Sequence, residues 1–148
     1  MKIKAIEANS PLLRKLPQRN KWEYGAEWTA KIHLVDEGTL QFTIRPPYWT
    51  DLASVPRPLR GAFDNGSGEF GVLVASQVHD MLYSTHWTSK DFADQLFHSI
   101  LRYYGMSKFK AWLYYQAVHL FGDSAWETIS EEEMENDRKL CSFRWNDK

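Results

Sequence analysis

The chain contains a single cysteine, Cys141, so an intramolecular disulfide is impossible. No apolar run approaches the roughly 20 residues that a helix needs to span a bilayer. The N-terminus also lacks the apolar segment of a signal peptide. These absences predict a protein without a transmembrane segment. We expect it to stay in the cytoplasm of the host cell that makes it, unless it leaves that cell as part of a virion.

Excess charge of either sign is also missing. The net charge is −1, and this balance gives no reason to expect a nucleic-acid partner. The five histidines do not show the paired spacing of a structural zinc site. Aromatic residues, in contrast, are plentiful at 15% of the chain, with seven tryptophans. Such a composition favours a thick core and an exposed aromatic surface suited to an interface.

The N-terminal half has the pattern of a β-hairpin. Residues 1–24 contain two prolines and predict an extended arm that holds at most a short strand. Residues 27–35 and 40–44 are strand candidates, the second with clean apolar alternation, and Asp36, Glu37 and Gly38 form a turn signal between them. We therefore expect an antiparallel hairpin or small sheet with one apolar face.

The C-terminal half has the pattern of helices. Apolar spacing predicts three of them, at about 70–84, 89–104 and 107–121. Gly105 and Gly122 stand where glycine commonly ends a helix. Ser130 and Glu133 have capping-box spacing, which predicts a charged terminal helix at about 131–140.

Together these patterns predict one α+β domain over residues 1–148, in which the N-terminal antiparallel hairpin or small sheet packs on a three-helix bundle. The core is expected at 25–122. Residues 1–24 form the arm, and 123–148 form a loosely attached polar tail with a short helix.

The pair that points to chemistry is His79 and Asp94. His79 lies in the apolar sector of the first predicted helix, so its ring faces the interior. If the two helices form a hairpin across the polar break at 84–89, His79 comes level with Asp94. A carboxylate on one ring nitrogen fixes the tautomer and leaves the other nitrogen to take a proton from water. A core histidine tied to a carboxylate for structural reasons fits the same pattern.

Two neighbours extend this site. Asp80 is turned about 100° from His79 by helix geometry and could bind a cation beside the activated water. Tyr83 lies one turn after both residues, where it could contact substrate or donate a hydrogen bond to a carboxylate of the partner helix.

Two loop residues are further candidates. Asp51 follows the hairpin in a loop, where it either caps the next turn or joins Asp80 as a ligand to a divalent cation, calcium or another. Arg57 lies near this acidic loop, where it either forms a plain salt bridge or binds an anionic substrate.

Three blocks, 49–56, 78–83 and 93–97, resemble the signature segments of a phage and prophage family catalogued as domain of unknown function 1353. The likeness extends to Gly105 and the aromatic third helix, over roughly residues 25–122. It implies a phage setting and assigns no activity. The positions that match the family's blocks are Asp51, His79, Asp80 and Asp94.

His79-Asp80 followed by Tyr83, with a carboxylate on an antiparallel helix, is also similar to the catalytic helices of secreted phospholipase A-two. That resemblance implies that His79 activates water, Asp80 binds calcium and Asp94 orients His79. The chain departs from that family because it has no disulfides and no recognisable glycine-rich calcium loop immediately before the helix.

The leading hypothesis is a phage-encoded hydrolase, with or without assistance from a divalent cation, that acts on an ester or amide of an envelope component. His79 and Asp94 would be its catalytic pair, Asp80 and Asp51 its cation ligands, and Tyr83 and Arg57 its substrate contacts. One alternative is a non-enzymatic virion or tail accessory protein that binds other phage structural subunits, with a structural His–Asp network. A further alternative is an inhibitor of a host enzyme or defence system.

Overall fold

A computed structural model describes residues 1–17, 21–50 and 69–146. These residues form seven strands and four helices. The strands are β1 (Ile3–Ala8), β2 (Leu13–Lys15), β3 (Trp22–Tyr24), β4 (Trp28–Leu34), β5 (Gly38–Ile44), β6 (Trp49–Thr50) and β7 (Cys141–Asn146). The helices are α1 (Glu69–Thr85), α2 (Lys90–Tyr103), α3 (Lys108–Glu127) and α4 (Glu131–Leu140). The predicted α+β class is confirmed.

The larger sheet is built on the predicted hairpin. Strands β4 and β5 pair antiparallel from Trp28 opposite Ile44 to Leu34 opposite Gly38. The turn between them uses Asp36 and Gly38 at positive φ, as its residues predict. Alternate side chains of both strands enter the core, which gives the hairpin one apolar face.

The N-terminal arm contains more strand than the sequence predicts. Strand β1 pairs with β4 along the edge of the larger sheet. Strands β2 and β3 form a second antiparallel sheet with β6, in the order β2-β3-β6. The buried Tyr24 hydroxyl of β3 donates a hydrogen bond to the Gln77 side chain of α1, so this small sheet is attached to the helices.

The C-terminal segment is not the loosely attached tail that its polarity predicts. Strand β7 pairs with β5 over its full length and completes a four-stranded sheet in the order β1-β4-β5-β7. Helix α4 is the fourth helix of the described ranges, and its Arg138 donates a hydrogen bond of 2.6 Å to the Thr85 carbonyl at the end of α1. A charged helix and a short strand give little apolar signal, which is why composition alone misses their attachment.

The helices begin near the predicted residues. The two glycines that were expected to end helices, Gly105 and Gly122, have different outcomes. Gly105 follows α2 at φ +93° in the predicted helix-ending role. Gly122 does not end α3, which continues to Glu127. The reason is packing: Gly122 is buried beside Tyr83 of α1, where an added Cβ would collide with the Tyr83 hydroxyl.

Sheet and helices share one hydrophobic core. Its largest fully buried side chains come from β3, β4, β5, α1, α2 and α3: Tyr24, Tyr114, Phe42, Phe97, Ile32, Leu40, Ile44, Met81, Leu82, Leu96, Ile100 and Leu101. No helix in the described ranges is both long and apolar enough to cross a membrane.

We expect Gly105→Ala to lower the free energy of unfolding by about 1 kcal/mol, since an L-residue is strained in the left-handed region. No atom lies within 4 Å of the added Cβ, so the cost should be conformational only. Urea unfolding measures it. Gly105→Asn should cost less because asparagine tolerates this conformation. Equal stability of Gly105→Ala and the wild type would contradict the backbone explanation.

Candidate active site

His79 of α1 and Asp94 of α2 are in contact. His79 Nε2 lies 2.7 Å from Asp94 Oδ1, and both side chains are buried, His79 with 2% exposure and Asp94 with none. The predicted pairing of imidazole and carboxylate is therefore present. It arises because α1 and α2 pack side by side in opposite directions around the short loop at 86–89.

Asp94 also accepts hydrogen bonds from two other side chains. The Tyr83 hydroxyl donates to Oδ1 at 2.7 Å, and the Lys90 ammonium donates to Oδ2 at 2.8 Å. Burial of the Asp94 carboxyl opposes its ionisation. The hydrogen bonds from His79, Lys90 and Tyr83 outweigh that effect and lower its pKa below the ordinary value. Asp94 is therefore an ionised, fully buried carboxylate.

Lys90 links this carboxylate to α3. Its ammonium donates to the His119 carbonyl at 3.1 Å and lies 3.3 Å from the Asp123 carboxylate. His119 Nδ1 is 3.5 Å from Asp94 Oδ2. Three helices thus meet at one acid, and sequence reasoning did not identify Lys90 or His119 as part of this network. The spacing of Lys90 and Asp94, four residues apart on one helix, was the available signal for the first of them.

The His79 ring is held by packing as well as by Asp94. Its centroid is 4.1 Å from that of Tyr83, one helical turn later, and 5.1 Å from that of Phe97 on α2. Burial and the bond to Asp94 raise the pKa of Tyr83, so its hydroxyl stays protonated and acts as a donor. An imidazole that packs against two aromatic rings and contacts a buried carboxylate has a defined orientation.

His79 borders a cleft of about 660 Å³ formed by β6, α1, α3 and α4. The wall from α3 is mostly apolar, and the walls from α1 and α4 carry polar and acidic groups. The side chains that line the cleft are Tyr48, Trp49, Thr50, His79, Asp80, Tyr83, Ser84, Ala117, Val118, Phe121, Ala125, Thr128, Ile129, Glu133, Asn136 and Asp137. A concave site with one apolar wall and a few polar groups is typical of small-molecule binding.

Asp80 and Ser84 form a second row on α1, about 100° around the helix from the row of His79 and Tyr83. The Thr50 hydroxyl of β6 donates a hydrogen bond to Asp80 Oδ2. Ser84 Oγ lies 3.1 Å from the Tyr48 hydroxyl. One face of α1 therefore meets Asp94, and the adjacent face meets the small sheet and α4.

Asp137 of α4 is an acidic lining residue that sequence reasoning missed. It is half-buried, beside Ser84 and close to Glu133. Burial is the largest of the effects that raise its pKa from 3.8 to about 6; the proximity of Glu133 raises it further, and the Ser84 hydroxyl opposes both. A signal was present, because Asp137 lies three residues from both Met134 and Leu140 on one side of α4, where apolar residues are expected.

The other predicted site residues have mixed outcomes. Asp51 and Arg57 lie outside the described residues, so the proposed cation ligand and the anion-binding arginine stay predictions. Asp80 lines the cleft, and Tyr83 both lines it and donates to Asp94. In the described ranges, no group of three or more histidine, cysteine, aspartate or glutamate side chains is placed to hold a metal ion.

We expect Gly122→Ala to destabilise the protein by about 2 kcal/mol, as overpacking of a filled site does. Replacing a helical glycine by alanine ordinarily stabilises by up to about 1 kcal/mol. Here, however, the new Cβ would collide with the Tyr83 hydroxyl and lie 3.2 Å from its ring carbons. Urea unfolding of a double-mutant cycle tests this. In a Tyr83→Phe background the cost should shrink, and an equal cost in both backgrounds would exclude the clash.

We expect Asp137→Asn to raise the melting temperature at pH 8 by about 3 °C, because the substitution removes a destabilising charge from a half-buried position. The folded state binds the Asp137 proton more tightly than the unfolded chain does, so ionisation destabilises the fold as pH rises from about 4 through 6. The gain should therefore be much smaller at pH 4.5. The control is Glu135→Gln, an exposed change on the same helix. A gain independent of pH would show that Asp137 carries no such penalty.

Comparison with known proteins gives one match. The family described as protein of unknown function (DUF1353) matches residues 28–118, well over half of the chain. No curated protein and no solved structure matched. The matched region contains α1, α2, the His79–Asp94 pair and the first half of α3. The chain therefore belongs to this family of proteins of unknown function.

Proposed function

We propose that this protein is a hydrolase in which His79, oriented by Asp94, activates water for attack on an ester or amide. The observation that carries the proposal is the position of His79, which contacts a buried ionised carboxylate and also borders a cleft large enough for a small substrate. A phage origin and an envelope-derived substrate form part of the proposal, and the resemblance to a phage and prophage family supports them.

Asp94 sets the tautomer of the imidazole. When Asp94 accepts the Nε2 hydrogen, Nδ1 becomes the nitrogen that can take a proton from water. Tyr83 and Lys90 hold the carboxylate in place from two directions. Since these bonds keep Asp94 ionised, it can also stabilise the positive imidazolium that forms as His79 accepts the proton.

The walls of the cleft favour an amphipathic substrate. Val118, Phe121 and Ile129 offer an apolar surface for an acyl chain, and the α1 side offers hydrogen-bonding groups near His79. A divalent cation on Asp80, with Asp51 as a second ligand, would polarise the carbonyl. This metal assistance stays a prediction, and the water-activating role of His79 does not depend on it.

We expect His79→Gln to lower kcat/KM for 4-nitrophenyl butyrate by about 100-fold or more, which is the usual contribution of a general base. Glutamine can still donate a hydrogen bond to Asp94 but cannot accept the proton. Release of nitrophenolate at 400 nm provides the measurement. The control is His33→Gln, which changes a histidine of β4 that contacts Thr39 and Glu7 on the sheet.

Circular dichroism and melting temperature of His79→Gln must match those of the wild type for the comparison to count. A folded His79→Gln protein that keeps the wild-type rate would contradict the proposal. A wild-type protein that hydrolyses neither 4-nitrophenyl butyrate nor ethyl butyrate would contradict it as well.

The second candidate is a virion or tail accessory protein in which the same network is structural. The complete burial of Asp94 and its contacts with α1, α2 and α3 favour this role, because satisfied buried networks fix helix register. In that case His79→Gln would lower stability, and no hydrolysis would be detected with either ester. Finding the chain in purified particles at fixed stoichiometry would support the structural role.

A further inference from the structure

We propose that Asp137 is the general acid of this hydrolase and donates a proton to the leaving group as the scissile bond breaks. The inference rests on the proposed role of His79 and adds a second catalytic residue, from a different helix. It concerns a part of the cleft that the His79–Asp94 pair leaves unexplained: a half-buried carboxyl on α4 that faces the polar edge of α1.

His79 and Asp137 are placed in the lining of the same cleft. Asp137 lies beside Ser84, which follows His79 by five residues on α1, and five residues advance a helix by about 7.5 Å. A base and an acid that serve opposite ends of one scissile bond need a separation of several ångströms, because the attacking water and the bond itself lie between them.

The surroundings of Asp137 also favour a role as an acid. A structural carboxylate buried to the extent of Asp137 would normally be paired with a cation. The described groups that interact with Asp137 are instead the Ser84 and Tyr48 hydroxyls, the Glu133 carboxylate and the Cys141 thiol, and none of them supplies positive charge. Arg138, its neighbour on α4, is directed to the Thr85 carbonyl. Such an arrangement favours the protonated acid, and a pKa of about 6 is suited to a catalytic proton donor.

The protons balance over the proposed reaction. His79 removes one proton from water, and the resulting hydroxide forms a bond to the carbonyl carbon of an ester. The tetrahedral intermediate then collapses with cleavage of the carbon–oxygen bond, and the leaving oxygen takes the proton of Asp137. The products are a carboxylic acid and an alcohol. Transfer of the His79 proton to Asp137 through solvent restores both groups.

The test compares two esters whose leaving groups differ in their need for a proton. A 4-nitrophenolate departs without protonation, whereas an ethoxide requires a proton donor. We expect Asp137→Asn to lower kcat/KM for ethyl butyrate about 100-fold more than kcat/KM for 4-nitrophenyl butyrate, the contribution typical of a general acid. Nitrophenolate absorbance follows one reaction, and pH-stat titration of the released butyric acid follows the other. Glu135→Gln, on the same helix and outside the cleft, should keep the wild-type ratio.

The outcomes separate the two proposals. An equal loss on both esters would assign Asp137 to binding or structure and overturn its role as an acid, and so would no loss on either. His79→Gln should slow both esters alike, because water must be activated in each case. If His79→Gln keeps full activity, the proposed function fails. If it loses activity while Asp137→Asn keeps the wild-type ratio, only the inference on Asp137 fails.

Discussion

The buried Asp94 carboxylate constrains the rest of the helical layer. It accepts hydrogen bonds from α1 through His79 and Tyr83 and from α2 through Lys90, while Lys90 also binds the His119 carbonyl of α3. An unpaired carboxylate in this position would cost several kcal/mol, so the three helices must meet in one register. That register places His79 at the cleft, and it explains why a glycine stands at 122, where Tyr83 leaves no space for a side chain.

The cleft depends on elements that are far apart in the chain. Helix α1 supplies the imidazole, α3 supplies the apolar wall, and α4 supplies the carboxyl of Asp137. Helix α4 is held at this edge by Arg138 and by strand β7, which follows it directly and joins the larger sheet. A segment that looks like a solvated tail by composition is thus the part of the fold that closes one side of the candidate site.

The two acids differ in a way that suits different roles. Asp94 has several donors, a lowered pKa and no exposure, which fits a group that stays charged and orients its neighbour. Among the described residues, Asp137 lies beside hydroxyl groups and another carboxylate, and its pKa is raised, which fits a group that exchanges a proton. Burial opposes ionisation of both carboxyls, and the number of hydrogen-bond donors decides the direction of each shift. The fold has therefore placed one charged carboxylate in the interior behind His79 and one carboxyl with a raised pKa in the lining of the cleft.

Features that depend on neighbours along the chain could be predicted from the sequence. The β4–β5 hairpin follows from apolar alternation around Asp36 and Gly38, and the contact of His79 with Asp94 follows from two helices joined by a short loop. Long-range packing, in contrast, sets the pairing of β7 with β5, the continuation of α3 through Gly122 and the position of Asp137 beside Ser84. Periodicity reports which face of an element is buried, but it does not specify which distant element covers that face. The acid on α4 therefore became visible only once the helices were packed.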